Sequence, residues 1–252
     1  PKTYSNSLLK NGYLIMNSEN YGSIEWIKNL IINTIKKKVK KFDGELNNLH
    51  KFVSIKKLNK IRMSVYNTIN KSAELKKKYF SVCNNVIDEL VGNELAIQKK
   101  INISFQLPKD NSSLLSLHSD VWSGDSPYEI VVWIPMVNVY RTKSMYILPQ
   151  NKYSKFLNTL KKLKNKSSNQ LYKKLKNDFI WLNLKFGQIL IFNQTLPHGN
   201  VINEEKTSRI SLNCRFKGLF TPYGTKTLGD FFEPFSMKVI SKIGTNYKLP
   251  KL

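Results

Sequence analysis

The stretch Leu114-Leu-Ser-Leu-His118-Ser-Asp120-Val-Trp122 decides how the rest of the chain is read. It is a short apolar-alternating run that closes on His-x-Asp. Strand side chains return to one face at every second residue, so His118 and Asp120 are expected side by side. The sequence holds only three histidines, His50, His118 and His198. His198 stands in Leu196-Pro-His-Gly199, just beyond the apolar run Gly187-Gln-Ile-Leu-Ile-Phe192, and Arg209-Ile-Ser211 follows 11 residues later. His50 sits apart in a loop between two predicted helices, where a surface role is expected.

Working outward, the hydrophobic period changes at Gly92. Before it the period is helical. Ser23 is expected to cap a helix striped by Ile24, Ile27, Ile31 and Ile35, with Lys36, Lys37, Lys38 and Lys40 complementing the dipole of its last turns. A second helix carries Leu58, Ile61, Val65 and Ile69. A third runs from Ser72 through Leu75, Tyr79, Val82, Val86 and Leu90 to a Gly92 stop. Tyr13-Leu-Ile-Met16 is a lone strand candidate. After Gly92 the period is two. Strands are predicted at 101–107, 114–122, 129–137, 144–148, 179–184, 187–192 and 208–216, and turns of Gly, Pro and Asn between them indicate a closed or two-sheet β structure.

Two segments depart from this pattern. Residues 151–176 read helical through Tyr153, Phe156, Leu160, Leu163, Leu171 and Leu175, and they carry nine lysines and no acid. They form an insertion, either a solvated cover or a docking surface for anions. Residues 220–252 read as a tail anchored by Phe231, Phe232 and Phe235. The expected fold class is α+β in one domain, 1–252: a strand and supporting helices over 1–94, a barrel core over 95–219 with the insertion, and the tail over 220–252.

The residue types specify a chemistry. Two imidazoles and one carboxylate on one face of an octahedron hold Fe(II) and leave three positions open. A 2-oxo acid can chelate at two of these and O2 can bind at the third. His118, Asp120 and His198 are the candidate ligands. The far carboxylate of 2-oxoglutarate then needs a fixed cation, and an arginine offers it a bidentate fork. Arg209, Ser211, Asn213 and Arg215 alternate with Ile210, Leu212, Cys214 and Phe216, so one face of that strand is polar and the other apolar. Inward-facing arginines need anions. Arg209 and Ser211 are assigned to the co-substrate. Arg215 binds substrate or makes a structural ion pair. Asn102 and Gln106, on the polar face of a neighbouring strand, can also reach the co-substrate. Trp122 shares the side of the ligands and either walls the substrate pocket or packs; Asp125 and Glu129 are candidate substrate contacts at the mouth.

With these residues in place the chain resembles the Fe(II)/2-oxoglutarate-dependent oxygenases. The layout is nearest the phytanoyl-CoA dioxygenase and ectoine hydroxylase branch, and closer still to bacterial oxygenases encoded in carbohydrate-biosynthesis clusters. His118-Ser-Asp-Val-Trp-Ser-Gly-Asp-Ser-Pro127, Thr142-Lys-Ser-Met-Tyr-Ile-Leu-Pro149 and Arg209-Ile-Ser-Leu-Asn-Cys-Arg-Phe216 carry the resemblance, which covers roughly residues 95–235. It implies a double-stranded β-helix, or jelly-roll, barrel with the helices outside. It implies Fe(II), 2-oxoglutarate and O2, with release of succinate and CO2. Lys143 and Ser144 match the family's third-strand pattern. Halogenating relatives have a small residue where Asp120 stands, so hydroxylation or another oxidation is implied here. The implied substrate is small and saccharide-linked, an anionic sugar or a sugar nucleotide among the candidates.

Composition sets outer bounds. A chain of 252 residues with 41% apolar residues and 12% aromatics can bury a sizeable core. No apolar run is long enough to span a membrane or to act as a secretory signal. Two cysteines, Cys83 and Cys214, make no disulfide framework, so a reducing cytoplasm is expected. The net charge of +24 suits an anionic substrate or partner but equally a solvated surface. It also keeps a second function open, a nucleic-acid demethylating oxygenase, since Arg209 and Arg215 lie six apart as in the paired arginines of that class. Two non-enzymatic alternatives remain: a barrel that holds an inert metal, and one in which both histidines are purely structural.

Overall fold

The computed structural model describes residues 4–162 and 167–250. Leu163, which the helical stripe of the insertion includes, lies outside them. The elements in order are α1 (Tyr4–Asn11), β1 (Tyr13–Asn17), α2 (Tyr21–Lys38), α3 (Ile55–Asn70), α4 (Leu75–Ser81), α5 (Asn84–Val91), β2 (Leu95–Gln98), β3 (Asn102–Gln106), β4 (Glu129–Pro135), β5 (Tyr146–Ile147), α6 (Tyr153–Lys162), α7 (Ser168–Leu175), β6 (Ile180–Trp181), β7 (Gln188–Asn193), β8 (His198–Gly199), β9 (Arg209–Gly218), β10 (Phe232–Ser236) and α8 (Val239–Asn246).

Two antiparallel sheets face one another. The main sheet runs β1-β7-β4-β9-β2-β10, with β3 also paired to β9, and the minor sheet runs β6-β5-β8. All seven residues of β4 are buried and nearly all apolar, as a strand covered on both faces requires. The helical stripes Ile24, Ile27, Ile31 and Ile35 of α2 and Leu58, Ile61, Val65 and Ile69 of α3 are all buried in the main core. There they cover the outer face of the main sheet, as the periodicity predicts.

A separate cluster holds the insertion. Phe156, Leu171 and Leu175 pack with Tyr146 of the minor sheet, with Leu148 just beyond it and with Leu117. Leu117 therefore points outward to α6 and α7 while its neighbour His118 points inward. No helix among the described residues is long and apolar enough to cross a membrane.

The structure corrects several boundaries. The expected third helix is two: α4 and α5 are broken at Val82 and Cys83, and Asn84 and Asn85, whose amides compete for backbone hydrogen bonds, open the second. Asn20 rather than Ser23 caps α2, accepting from the Ser23 N–H at 3.0 Å; Ser23 is buried. The segment before β1 holds α1. The strand β2 precedes the alternating run at 101–107, where its four wholly buried residues give no period-two signal. The expected tail supplies β10, which pairs with the edge of β2, and Phe232 at its start is fully buried.

Candidate metal centre

The His-x-Asp stretch is not a strand along its length. It makes one antiparallel bridge, His118 with His198. The His118 N–H donates to the His198 carbonyl at 3.0 Å and the His198 N–H to the His118 carbonyl at 2.8 Å. Beyond the bridge the Asn200 N–H donates to the Leu115 carbonyl at 2.9 Å, and the Leu115 N–H donates to the Asn200 side chain, Oδ1, at 2.7 Å. Directly opposed residues of such a pair carry their side chains together, and the two imidazoles lie 4.3 Å apart, centroid to centroid. Ser119 is extended at φ −121°, ψ 135°, so Asp120 returns to the His118 side. Its hydroxyl is anchored to the carbonyls of Gln194 and Thr195, each at 3.0 Å. Gly199 lets this chain crossing close, since a Cβ there would meet Tyr146 Oη at 2.5 Å and the Leu115 carbonyl at 2.9 Å.

The result is a group that could hold a metal ion. One ligand atom from each of His118, Asp120 and His198 lies within 4.8 Å of the others. Both imidazoles are oriented by backbone. His118 Nδ1 faces the Ser116 carbonyl at 2.7 Å and His198 Nδ1 the Leu196 carbonyl at 2.9 Å. A carbonyl only accepts, so each Nδ1 carries a proton, and the neutral ring of that tautomer presents its Nε2 lone pair, as a metal-binding histidine requires. Burial lowers the His198 pKa to about 4, which keeps that ring neutral. Burial works against ionisation of Asp120, but the hydrogen bond from protonated His118 and the charge of Arg215 outweigh it and hold the carboxyl well below its usual range. His118 is raised: burial opposes its charge, and its bonds to Asp120 and the Ser116 carbonyl prevail.

These groups open on a cavity of about 320 Å³ between the two sheets. Arg209, Ser211, Asn213 and Arg215 all line it, so the polar face of β9 looks inward as the alternation predicts. Arg209 is buried and pairs with no carboxylate among the described residues. It donates to the Ser144 carbonyl at 3.0 Å and more weakly to Ser104 Oγ at 3.4 Å. Its Nε and Ser211 Oγ are buried without a partner. Burial pushes the guanidinium down to about 10, so it remains a cation at neutral pH. A buried cation with an orphaned N–H and a neighbouring orphaned hydroxyl fits an incoming carboxylate.

The other expected site residues are divided. Asn102 lines the cavity, and its amide donates to Asn213 Oδ1 at 3.0 Å. Gln106 stands opposite Arg209 in the β3–β9 register; its amide nitrogen donates to the Val201 carbonyl at 2.6 Å, and its Oε1 is buried without a partner. Trp122 does not wall the site. A 3-10 turn begins at Asp120, and three residues per turn carry Trp122 away from the ligand side. It is 49% exposed and stacks on Phe156 of the insertion. Arg215 is an ion-pair residue, 3.2 Å from Asp120 and 3.1 Å from Asp125. Asp125 is buried and pairs with Lys226 as well, at 2.5 Å. Glu129 is buried in β4, away from the mouth, accepting from the Ser126 N–H and the Gln194 amide.

Some contributors escaped the sequence. Val131, Trp133 and Phe192 form the apolar wall; β4 is apolar on both faces, so alternation could not say which face sees the cavity. The short 3-10 turn Leu46–Lys51 braces the start of β9. There His50, half-buried rather than free on the surface, bonds Ser208 Oγ through both Nδ1 and its backbone N–H. The same turn offers Asn47 Oδ1 to Lys143 Nζ at 2.6 Å. Lys143 precedes Ser144, whose carbonyl receives Arg209.

Lys143 has a pH signature. Burial lowers its pKa from 10.5 to about 8, and the same cause brings Lys217 to about 8. The unfolded chain binds these protons up to about pH 10.5, the folded chain only up to about 8. Folding is therefore penalised below about pH 8, and the penalty fades as pH climbs through that window. Denaturant midpoints are expected to rise with pH there, and Lys143→Met to remove roughly half of the rise. An unchanged slope in the variant would show that Lys143 is not a buried charge.

No family model and no curated protein matches the chain. Solved structures share its fold. The non-haem monooxygenase ThoJ, in complex with nickel, aligns at a TM-score of 0.60 and 12% identity over 93% of this chain and 84% of its own. EctD from S. alaskensis, solved with 2-oxoglutarate and 5-hydroxyectoine, aligns at 0.57 and 12% over 87% of this chain and 76% of its own. SnoK, a non-haem α-ketoglutarate-dependent carbocyclase from nogalamycin biosynthesis, aligns at 0.51 and 10% over 86% and 83%. At such identities the likeness is one of fold, the jelly-roll of non-haem oxygenases with helices packed outside.

Proposed function

We propose that the chain is an Fe(II)/2-oxoglutarate-dependent dioxygenase that oxidises a small, saccharide-linked substrate. One observation carries the assignment. Two histidines with backbone-fixed tautomers and a carboxylate converge in the same cavity as a buried arginine that pairs with no acid among the described residues. Structural histidines alone would leave that arginine unexplained. Fe(II) with bound 2-oxoglutarate supplies O2-driven oxidation of a substrate carbon, with release of succinate and CO2.

The chain's own residues do the positioning. His118 and His198 would present Nε2 to the metal, and Asp120 one carboxylate oxygen while the other stays with Arg215. Arg209 would hold the far carboxylate of 2-oxoglutarate, assisted by Ser211 Oγ. Val131, Trp133 and Phe192 keep that side of the cavity apolar and exclude water. Asp120 supplies the carboxylate, so oxygenation rather than halogenation is favoured. The substrate fits best as an anionic sugar or sugar nucleotide, drawn in by the net charge of +24. Nucleic acid is disfavoured, because Arg215 is spent on Asp120 and Asp125 rather than offered to phosphate. Two free, buried cysteines suit a reducing cytoplasm.

Anaerobic addition of Fe(II) and 2-oxoglutarate should produce the weak visible metal-to-ligand band in the parent protein. In Asp120→Ala metal affinity should fall at least 100-fold, roughly the upper end of what losing a supporting group costs a metal site, with the band nearly absent. Folded parent protein that gives no band would sink the assignment. A band without succinate formation, whatever sugar is added, would leave an inert metal barrel.

A further inference from the structure

The site has an outer chamber. A second cavity, of about 550 Å³, adjoins the first and shares Asn102, Ser104, Leu115 and Asn213 in its wall. Its far side is α3, through Arg62, Met63 and Tyr66, and its lid is the segment that follows β3.

Arg62 is its one charged residue, and no carboxylate lines the chamber. Among the described residues Arg62 pairs with no acid. One terminal nitrogen is held by Asn59 Oδ1 at 2.6 Å, which aims the guanidinium and leaves further N–H groups for a ligand. The other cations of the two cavities are committed. Arg215 and Lys226 are paired with Asp120 and Asp125, and Arg209, in the first cavity, is assigned to the far carboxylate of 2-oxoglutarate. An anionic group on the substrate is therefore left with Arg62.

The floor selects hydroxyl groups. Asn102 and Asn213 are directly opposed in the β3–β9 register, and a single bond joins their amides. That bond leaves Asn102 Oδ1 as an acceptor and Asn213 Nδ2 as a donor, neither bonded to a partner among the described residues. Neighbouring hydroxyls, each both donor and acceptor, complement such a pair. The lid is ordered in advance. Asp110, fully buried, accepts from the Ser112 N–H at 2.8 Å, Ser112 Oγ at 2.6 Å and Ser113 Oγ at 2.9 Å. Pre-ordering of this kind lowers the entropy lost on binding.

We propose that this chamber is the saccharide subsite: the Asn102–Asn213 pair holds ring hydroxyls, and Arg62 holds an anionic group, phosphate or carboxylate, on the same molecule. This presupposes the metal and 2-oxoglutarate site proposed above. The test is calorimetric titration of the anaerobic Fe(II)/2-oxoglutarate complex with glucose 1-phosphate, UDP-glucose, glucuronic acid, glucose and inorganic phosphate, in the parent, Arg62→Gln and Arg62→Lys proteins. At least one anionic sugar should bind more tightly than both glucose and phosphate. Its Kd should rise roughly ten- to a hundredfold in Arg62→Gln, the range for a charged hydrogen bond, and recover in part in Arg62→Lys. The visible band should be the same in all three. Preference for phosphorylated over carboxylated sugars, or the reverse, identifies the anion. The proposal is overturned if glucose binds as well as its anionic derivatives, if Arg62→Gln binds like the parent, or if no anionic sugar binds a protein that shows the band. Loss of the band itself would instead count against the metal site.

Discussion

Replacing Arg209 by alanine should weaken 2-oxoglutarate binding by roughly a hundredfold or more while Fe(II) binding changes little. The guanidinium donates to the Ser144 carbonyl and Ser104 Oγ, and its Nε and the neighbouring Ser211 Oγ are unpartnered. Each hydrogen bond between charged groups is worth about 1.5–3 kcal/mol, and a fork makes two, so the loss spans at least two decades of affinity. Arg209→Lys restores a charge but not the planar fork and should recover only part. Without ligand the same arginine is a liability, because a buried cation lacking an anion carries an uncompensated desolvation cost. Arg209→Met is therefore expected to be neutral or stabilising in the apoprotein. Titration of 2-oxoglutarate into the Fe(II) protein reads the affinity and thermal melting reads the stability. An affinity equal to the parent's would remove Arg209 from the site.

Arg215→Ala should be the most destabilising change at the site, by about 3–5 kcal/mol, the range for breaking a buried ion pair from one side. It leaves Asp120, whose second oxygen lies 3.2 Å from the guanidinium, and Asp125, whose side chain is fully buried, short of a countercharge. At roughly 2–4 °C per kcal/mol for a chain of this size, the Tm should fall by about 10 °C. Metal affinity should also drop, because one of the charges that keeps Asp120 ionised is gone. Asp125 is then left with Lys226 alone, so Arg215→Ala combined with Asp125→Asn, which removes the under-compensated charge, should recover part of the stability. If Arg215→Ala melts with the parent and binds Fe(II) equally, the arginine is not a support for Asp120.

The polar face of β9 was legible because Arg209, Ser211, Asn213 and Arg215 alternate strictly with apolar neighbours, a pattern that a strand lining a polar interior must have. The helical stripes of α2 and α3 were legible for the matching reason of period. Trp122 was misplaced because His-x-Asp extends the strand reading by two residues too many, and a change from extended backbone to a 3-10 turn leaves no mark on residue spacing. The partner of the Gln106 amide was not legible, because the Val201 carbonyl that receives it belongs to a segment distant in sequence. The strands β2 and β10 were missed since pairing with a neighbour, rather than alternation, makes them strands. His50 was dismissed as lone, yet a turn distant in sequence brings it to the residue just before Arg209.

What the sequence determined by itself was the class of fold and the candidate residues: His, Asp and His in order, an arginine strand, a change of period at Gly92. These follow from residue identity and local geometry. The tertiary structure alone decided which of those residues share a cavity. It paired His118 with His198 across 80 residues of chain, turned Arg215 toward two carboxylates, left Arg209 without one, and set Arg62 of a supporting helix beside the floor of the site. Charge pairing and burial depend on which segments meet in space, and those meetings carry no period that a reading along the chain can detect.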